Sequence, residues 1–429
     1  MPASTQPDNV KLATGAPRPA APRALPQRCR NCGVERPPAP ESLCGECLGP
    51  LDPVYDPKRR LPDRATIEAR KPSLWRYREW LPFDGDPVLS LDTGGTPLVQ
   101  APRLAARLGV ARAWVKNDAV SHPSLSFKDR VVATAINAAA AFGLDTIGCA
   151  STGNLANAVA AQAARAGLKA WIFIPEDLEI AKIVGTAVYG ARLVRVRGHY
   201  DDVNRLCAQV ADLFGWGIVN VNLRGYYGEG SKTMAFEIAE QLGWRLPTAV
   251  VAPMAGGSLV TKLRKGFREF SAAGLVSGGA PRIFGAQAAG CAPIVQLVRE
   301  NADAVMPVIP HTIARSIAIG NPADGLFAKR AILESGGWAA AVSDAELVAG
   351  IRLLAEEAGI FTETAGGVTV AAALALAAEG RFSPDDEVVL CITGNGLKTI
   401  EAVAPVLPQA PLIAPRVAEV RALVKDDAS

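Results

Sequence analysis

The stretch IGCASTGNLANAVAAQAARAGLKAWIFIP, residues 147–175, decides the fold. It opens on a short apolar run, turns through small polar residues at 151–154, continues as an Ala-rich segment and ends on a second apolar run. Neither run alternates with polar residues, so each reads as a strand covered on both faces, as in parallel sheets. Parallel strands need a crossover, and the Ala-rich segment between them reads as its helix. The rhythm continues on both sides. EIAKIVGTAVYG (179–190) and YDDVNRLCAQVADLFG (200–215) read as helices around the strand ARLVRVRG (191–198). TAVVAPMAGGSLVTKLRKGFREF (248–270) gives strand, Gly-rich turn and helix, while PRIFGAQA (281–288) and EVVLCITGNG (387–396) are strands ending in loops. This is an α/β chain with largely parallel sheets.

Length and composition agree. A chain of 429 residues, 49% hydrophobic and 20% charged, suits two or three packed units and excludes a disordered or fibrous protein. Forty-five basic against forty-two acidic residues give a net charge of +3, with no dense basic tract, so no nucleic-acid surface is expected. The longest apolar candidate, around Ala365 to Ala378, contains Gly and Thr and falls short of the ~18 residues of a spanning helix. Residues 1–26 are Pro/Ala-rich and polar, read as a disordered leader without a secretory segment, which makes the cytosol the expected location. Residues 60–90 carry Trp75, Tyr77, Trp80 and Phe83 and read as a helix or arm lying on the main body.

Cysteine use divides the chain. Cys149, Cys207, Cys291 and Cys391 are scattered among apolar residues and read as small buried hydrophobes. Cys29-x2-Cys32 and Cys44-x2-Cys47 are clustered within a segment, 27–58, too poor in apolar residues to fold by burial. Two such pairs suit a tetrahedral structural zinc; two disulfides or four free thiols are the alternatives.

The chemistry concentrates in four loops. SHPSLSFKDR (121–130) holds Lys128 between Phe127 and Asp129. Taken alone it reads as a helix start, with Ser126 as cap. Ser151, Thr152, Gly153 and Asn154 follow a strand and open a helix, where exposed N–H groups would hold a carboxylate. Ala255, Gly256, Gly257 and Ser258 would form a phosphate nest at another helix start. Thr393 ends the last strand with a hydroxyl. One lysine, a carboxylate cradle, a phosphate cradle and a terminal hydroxyl describe a site for pyridoxal phosphate and an amino acid. No G-x-G-x-x-G between a first strand and helix and no Walker A loop is present, which argues against a dehydrogenase or P-loop ATPase.

These segments resemble the threonine synthase family of fold-type II (tryptophan synthase beta-like) pyridoxal-phosphate enzymes. The resemblance runs over about residues 85–402 and is carried by SLSFKDRVV, CASTGNLANAVAAQAARAGL, NVNLRGYYGEGSKTMAFEIAEQLGW, GAQAAGCAPI, SIAIGNPADG, GIFTETAGGVTVAA and ITGNGLK. It implies two three-layer α/β/α domains with the active site in their cleft. A large domain would take residues 60–130 and 225–405, a small one 131–224, and a tail 406–429, with the 27–58 knuckle resembling a zinc ribbon. It implies a homodimer that converts O-phospho-L-homoserine and water to L-threonine and phosphate. The competing readings are a related replacement or elimination enzyme (cysteate synthase-like, or a threonine or serine dehydratase) and a non-catalytic ligand-binding relative.

The family roles fall on this chain by position. Lys128 would carry the cofactor as a Schiff base, and Asn154 would bond the cofactor's 3-oxygen. Residues Ser151, Thr152 and Gly153 would hold the substrate carboxylate, the turn Ala255–Ser258 the cofactor phosphate, and Thr393 would face the pyridine nitrogen. The substrate phosphate would meet Ser231, Lys232, Thr233 and Arg315, with Ser124 nearby. Three departures stand out: His122-Pro123-Ser124 replaces the usual Asn-Pro-Thr, PMAGGSL replaces a Ser-Gly-Ser turn, and Arg315 replaces a lysine.

Overall fold

The computed structural model describes residues 21–87, 91–151, 153–176, 178–198 and 200–426. The expected leader falls mostly outside them, but its described end departs from the expectation. Strand β1 (Arg23–Ala24) is already part of the body. The knuckle follows with β2 (Gln27–Cys29), β3 (Glu35–Arg36) and β4 (Leu51–Pro53), an antiparallel sheet in the order β3-β2-β4. Helix α1 (Arg64–Glu68) is capped by the Asp63 carboxylate, which accepts from the Thr66 N–H, and a 3-10 segment follows at Leu74–Trp80. Strand β5 (Phe83–Asp84) pairs with β1. As expected, the aromatic residues of this arm are buried in the body, where Trp80 lies edge-on to Phe270 at 5.2 Å and Tyr77 lies 5.4 Å from Phe236.

The main body begins with β6 (Leu98–Gln100), α2 (Pro102–Leu108), β7 (Arg112–Asn117) and α3 (Lys128–Ala141). The deciding stretch then folds as read: β8 (Thr146–Ala150), α4 (Asn154–Ala166) and β9 (Lys169–Pro175), with β8 and β9 parallel. Then come α5 (Ile180–Ala187), β10 (Arg192–Val196), α6 (Tyr200–Phe214) and β11 (Gly217–Ile218). These strands form one parallel sheet, β10-β9-β8-β11. The chain goes on through α7 (Arg224–Glu229), α8 (Lys232–Gln241), β12 (Ala249–Pro253), α9 (Ser258–Ala272), β13 (Arg282–Ala288) and α10 (Pro293–Arg299). It closes with α11 (Gly325–Leu333), β14 (Ala339–Val342), α12 (Asp344–Ala358), α13 (Thr364–Ala378), β15 (Glu387–Ile392) and α14 (Val417–Asp426).

The second sheet runs β14-β13-β12-β15-β7-β6, parallel except for the edge strand β6. Every residue of β8, β12 and β15 is buried, because helices cover both faces of each sheet. The apolar run at 365–378 is the buried core helix α13, and no helix among the described residues is long and apolar enough to cross a membrane. The four scattered cysteines are all buried. Both sheets present the carboxyl ends of their strands to one cleft, the usual location for a ligand in such folds.

Candidate active site

The cleft encloses about 1310 Å³, its open mouth included. Strand ends supply most of its chemistry. Phe127 and Lys128 open α3 beside the end of β15; the Phe127 N–H donates to the Thr393 carbonyl at 2.9 Å. The Lys128 amine faces the cleft with the Tyr227 hydroxyl 3.3 Å away. Burial pushes its pKa down to about 8, and the Glu363 carboxylate partly opposes that shift. Near neutral pH more of such an amine is unprotonated than of an ordinary lysine, which favours Schiff-base formation.

The motif around Lys128 is built differently from the simple helix start. Ser126 does not cap α3; its hydroxyl is buried without a partner among the described residues. Asp129 does the local work, accepting from the Ser124 hydroxyl at 2.6 Å and from the Ser124 and Ser126 N–H groups. Ser124 is therefore spent on Asp129 rather than on the cleft. Arg130 is fully buried, donating to Asp118 and Glu237 at 2.6 Å each. His122 is exposed and lies outside the cleft lining; its carbonyl accepts from Thr93.

On the other wall, Ser151 and Asn154 line the cleft at the start of α4. Thr152 lies outside the described residues. The Ser151 hydroxyl accepts from the Gly153 and Ala156 N–H groups at 3.0 and 2.9 Å, so part of the cradle is satisfied internally. Gly153 has φ +132, and a Cβ there would fall 2.1 Å from the Lys182 Cδ. Asn154 donates to both oxygens of Glu363 at 2.7 and 2.8 Å and accepts from the Lys398 ammonium at 3.1 Å. Glu363 and Lys398 thus join the site, although the sequence reading did not single them out. Their signal was the GIFTETAGG and ITGNGLK segments themselves.

Ala255, Gly256, Gly257 and Ser258 line the cleft where β12 passes into α9. Gly257 sits at the N-cap with φ +94 and has no side chain to cap a 15-residue helix, so its first N–H groups are left toward the cleft. A Cβ at Gly257 would lie 3.0 Å from both the Ala328 Cβ and the Asp324 carbonyl. With a free lysine, an uncapped helix end and the Thr393 hydroxyl on one cleft, these residues fit pyridoxal phosphate.

The expected phosphate ligands separate. Ser231 lines the cleft. Lys232 does not. It is fully buried against Glu229 at 2.7 Å, Glu269 at 2.9 Å and the Tyr55 hydroxyl at 3.1 Å. Helical twist turns consecutive residues to different sides of α8, so Ser231 and Lys232 cannot share one face. The Thr233 hydroxyl is held by the Gly230 carbonyl at 2.7 Å and accepts from Arg130 at 3.1 Å, away from the cleft. Arg315 is half-buried in a 3-10 turn, and its neighbours Ser316 and Ile317 are the residues that line the cleft. The cation the reading missed is Arg224, which lines the cleft from α7 and is held by Asp324 at 2.6 Å.

Away from the cleft, the four knuckle thiols converge with all Sγ atoms within 4.8 Å of one another and form no disulfide. Cys29 and Cys47 are 3.5 Å apart and Cys32 and Cys44 3.7 Å, close to the ~3.8 Å edge of a tetrahedron with ~2.3 Å zinc–sulfur bonds. Backbone N–H groups of Glu46 and Cys47 draw the Cys44 pKa down to about 6, while the neighbouring thiols push Cys32 up to about 12, so the four groups share their protons as one cluster. Three arginines of the knuckle are paired within the chain: Arg28 with Glu35, Arg36 with Glu46, and Arg30 with Asp324 and Asp52.

Comparison with known proteins agrees with this geometry. Residues 89–394 match the family model described as pyridoxal-phosphate dependent enzyme. The chain is 37% identical over 382 residues to a threonine synthase of Methanocaldococcus jannaschii, covering 88% of this chain and 93% of that one. It is 35% identical to a threonine synthase of Methanosarcina acetivorans, again covering 88% and 93%. Among solved structures, an L-serine ammonia-lyase of Rhizomucor miehei superposes with a TM-score of 0.60 at 22% identity, covering 71% of this chain and 94% of that one. At that identity the likeness speaks to the fold alone.

Proposed function

Since the chain belongs to the pyridoxal-phosphate dependent enzymes, and among them to the threonine synthase family, we propose that it converts O-phospho-L-homoserine and water to L-threonine and phosphate. The observation that carries this reading is one cleft holding Lys128, the uncapped 256–258 turn and the Arg224 guanidinium together. Lys128 carries the cofactor, the 255–258 turn holds its phosphate and Thr393 faces its ring nitrogen. Bound there, pyridoxal phosphate supplies an electron sink for breaking the Cα–H bond. The Lys128 amine takes that proton and, with its pKa near 8, can return protons during the same turnover. Asn154, held by Glu363 and Lys398, orients the cofactor's 3-oxygen side. Ser151 and Gly153 place the substrate carboxylate at the amino end of α4. Arg224, Ser231 and Ser316 receive the leaving phosphate, with Arg315 beside them, in place of Lys232 and Thr233.

In atoms, the Cα–H bond, one Cβ–H bond and the Cγ–O bond break, and the γ-phosphate leaves with the electron pair of the Cγ–O bond. Cγ gains one proton, a hydroxyl from water adds at Cβ, a proton is returned at Cα, and the water's remaining proton goes to the phosphate. The four-cysteine site is proposed to hold a structural zinc that seats the knuckle, and the expected homodimer is a further proposal for light scattering to test. The reaction is tested by supplying purified protein with O-phosphorylated amino acids and free serine or threonine. Phosphate release with L-threonine from O-phospho-L-homoserine supports it. Keto-acid formation from free serine or threonine without phosphate release would make the chain a dehydratase instead.

A further inference from the structure

Asp324 stands where the knuckle meets the cleft. It is 5% exposed, and its carboxylate lies between two guanidinium groups. Arg224 donates to Oδ2 at 2.6 Å from the cleft side. Arg30 donates to Oδ1 at 3.3 Å from the knuckle side. The Asp324 N–H also donates to the Gly256 carbonyl at 2.9 Å, so the same residue braces the turn assigned to the cofactor phosphate.

Arg30 is well seated for this contact. It lies between Cys29 and Cys32, and its own N–H donates to the Pro50 carbonyl at 2.9 Å. Its guanidinium carbon sits 3.6 Å from the centre of the Phe327 ring. Arg30 does not line the cleft, whereas Asp324 and Arg224 do. The three residues make a chain of charges from the cysteine site to the substrate wall.

Physical chemistry gives the chain a direction. A nearly buried carboxylate shared by two cations leaves each cation only partly neutralised. Without Arg30, the full Asp324 charge bears on Arg224 alone. Arg224 then presents less positive charge to an anion in the cleft, and Asp324 is free to shift. We propose that Arg30 is a positioning residue for anion recognition, acting through Asp324 on Arg224, so that the seating of the knuckle sets how tightly the cleft grips a phosphate. This rests on the reading of Arg224 as the phosphate-facing cation.

The test is a double-mutant cycle on inorganic phosphate binding to the cofactor-loaded enzyme, followed by calorimetry. Arg30→Met should weaken binding about fivefold, the size of a ~1 kcal/mol ion-pair effect. Arg224→Met should weaken it more, and adding Arg30→Met to that variant should change nothing further. Arg30→Lys, which keeps the charge but not the fork, should fall between wild type and Arg30→Met. Melting temperatures of the same proteins separate this from loss of fold, and if Arg30→Met does not fold, the cycle is read from Arg30→Lys. Wild-type affinity in the Arg30 variants overturns the proposal. So does an Arg30 effect that persists undiminished beside Arg224→Met, or a wild-type cleft that binds no phosphate. If the coupling holds but O-phospho-L-homoserine releases no phosphate, the proposed reaction fails and the positioning role stands.

Discussion

Replacing Gly257 by alanine should separate the cofactor-phosphate cradle from an ordinary turn. Gly257 has φ +94, where an L-residue is strained by ~1–2 kcal/mol. The new methyl would also lie 3.0 Å from the Ala328 Cβ and from the Asp324 carbonyl, neither of which is the end of a flexible chain. Such crowding adds ~1 kcal/mol. The turn relieves both by moving, and a ligand that needs its native shape must restore the strain. The cofactor Kd should therefore rise ~30- to 100-fold for a total of ~2–3 kcal/mol. Titrating cofactor-free protein with pyridoxal phosphate and following absorbance measures it. Gly256→Ala is the control: its Cβ meets nothing nearer than the Ile319 Cδ1 at 3.9 Å, so its melting temperature should stay at the wild-type value. Wild-type cofactor affinity in a folded Gly257→Ala would refute the assignment of this turn.

Glu229→Ala should cost ~3–5 kcal/mol in denaturant unfolding, because it strips the carboxylate from Lys232, Lys262 and Lys265, which bond it at 2.7, 2.6 and 2.8 Å. The same pairs set the acid limit of stability. Burial alone would raise the Glu229 and Glu237 pKa values, but the lysines around Glu229, and Arg130 and Lys116 around Glu237, hold both below the usual value. Carboxylates depressed in the folded state contribute stability above pH ~4.5 that is lost as pH falls toward their folded values, so melting temperature should drop on acidification in that window. The kcat profile should show an acidic limb where the released Lys128 amine becomes ammonium, and Glu363→Gln should move that limb to lower pH by removing the charge that favours the ammonium. Metal analysis should find about one zinc per chain, and Cys44→Ser should lower the melting temperature while cofactor is still bound.

The fold was readable because its strands are buried on both faces. Runs such as Val388–Ile392 need no partner to be recognised as strands, and the turns after them are marked by small residues at 151–154 and 255–258. The cysteine knuckle was readable from spacing alone. Side-chain direction was not. Ser231 and Lys232 are neighbours in sequence, yet one faces the cleft and the other a charge cluster completed by Tyr55 and Glu269 from distant segments. Arg224 carries no local signal in the sequence; it is Asp324, 100 residues on, that fixes it against the cleft. Glu363 and Lys398 were hidden for the same reason, since their importance comes from meeting Asn154 across more than 200 residues. Ser126 shows the reverse error, where a good local cap loses to the Asp129 carboxylate.

The reaction itself is tested most directly by running it in H₂¹⁸O with O-phospho-L-homoserine and analysing both products by mass spectrometry. Elimination of phosphate by Cγ–O cleavage, followed by addition of water at Cβ, predicts L-threonine carrying one ¹⁸O and phosphate carrying none. Labelled phosphate with homoserine, or unchanged substrate in the presence of a fully loaded Lys128, would contradict the account.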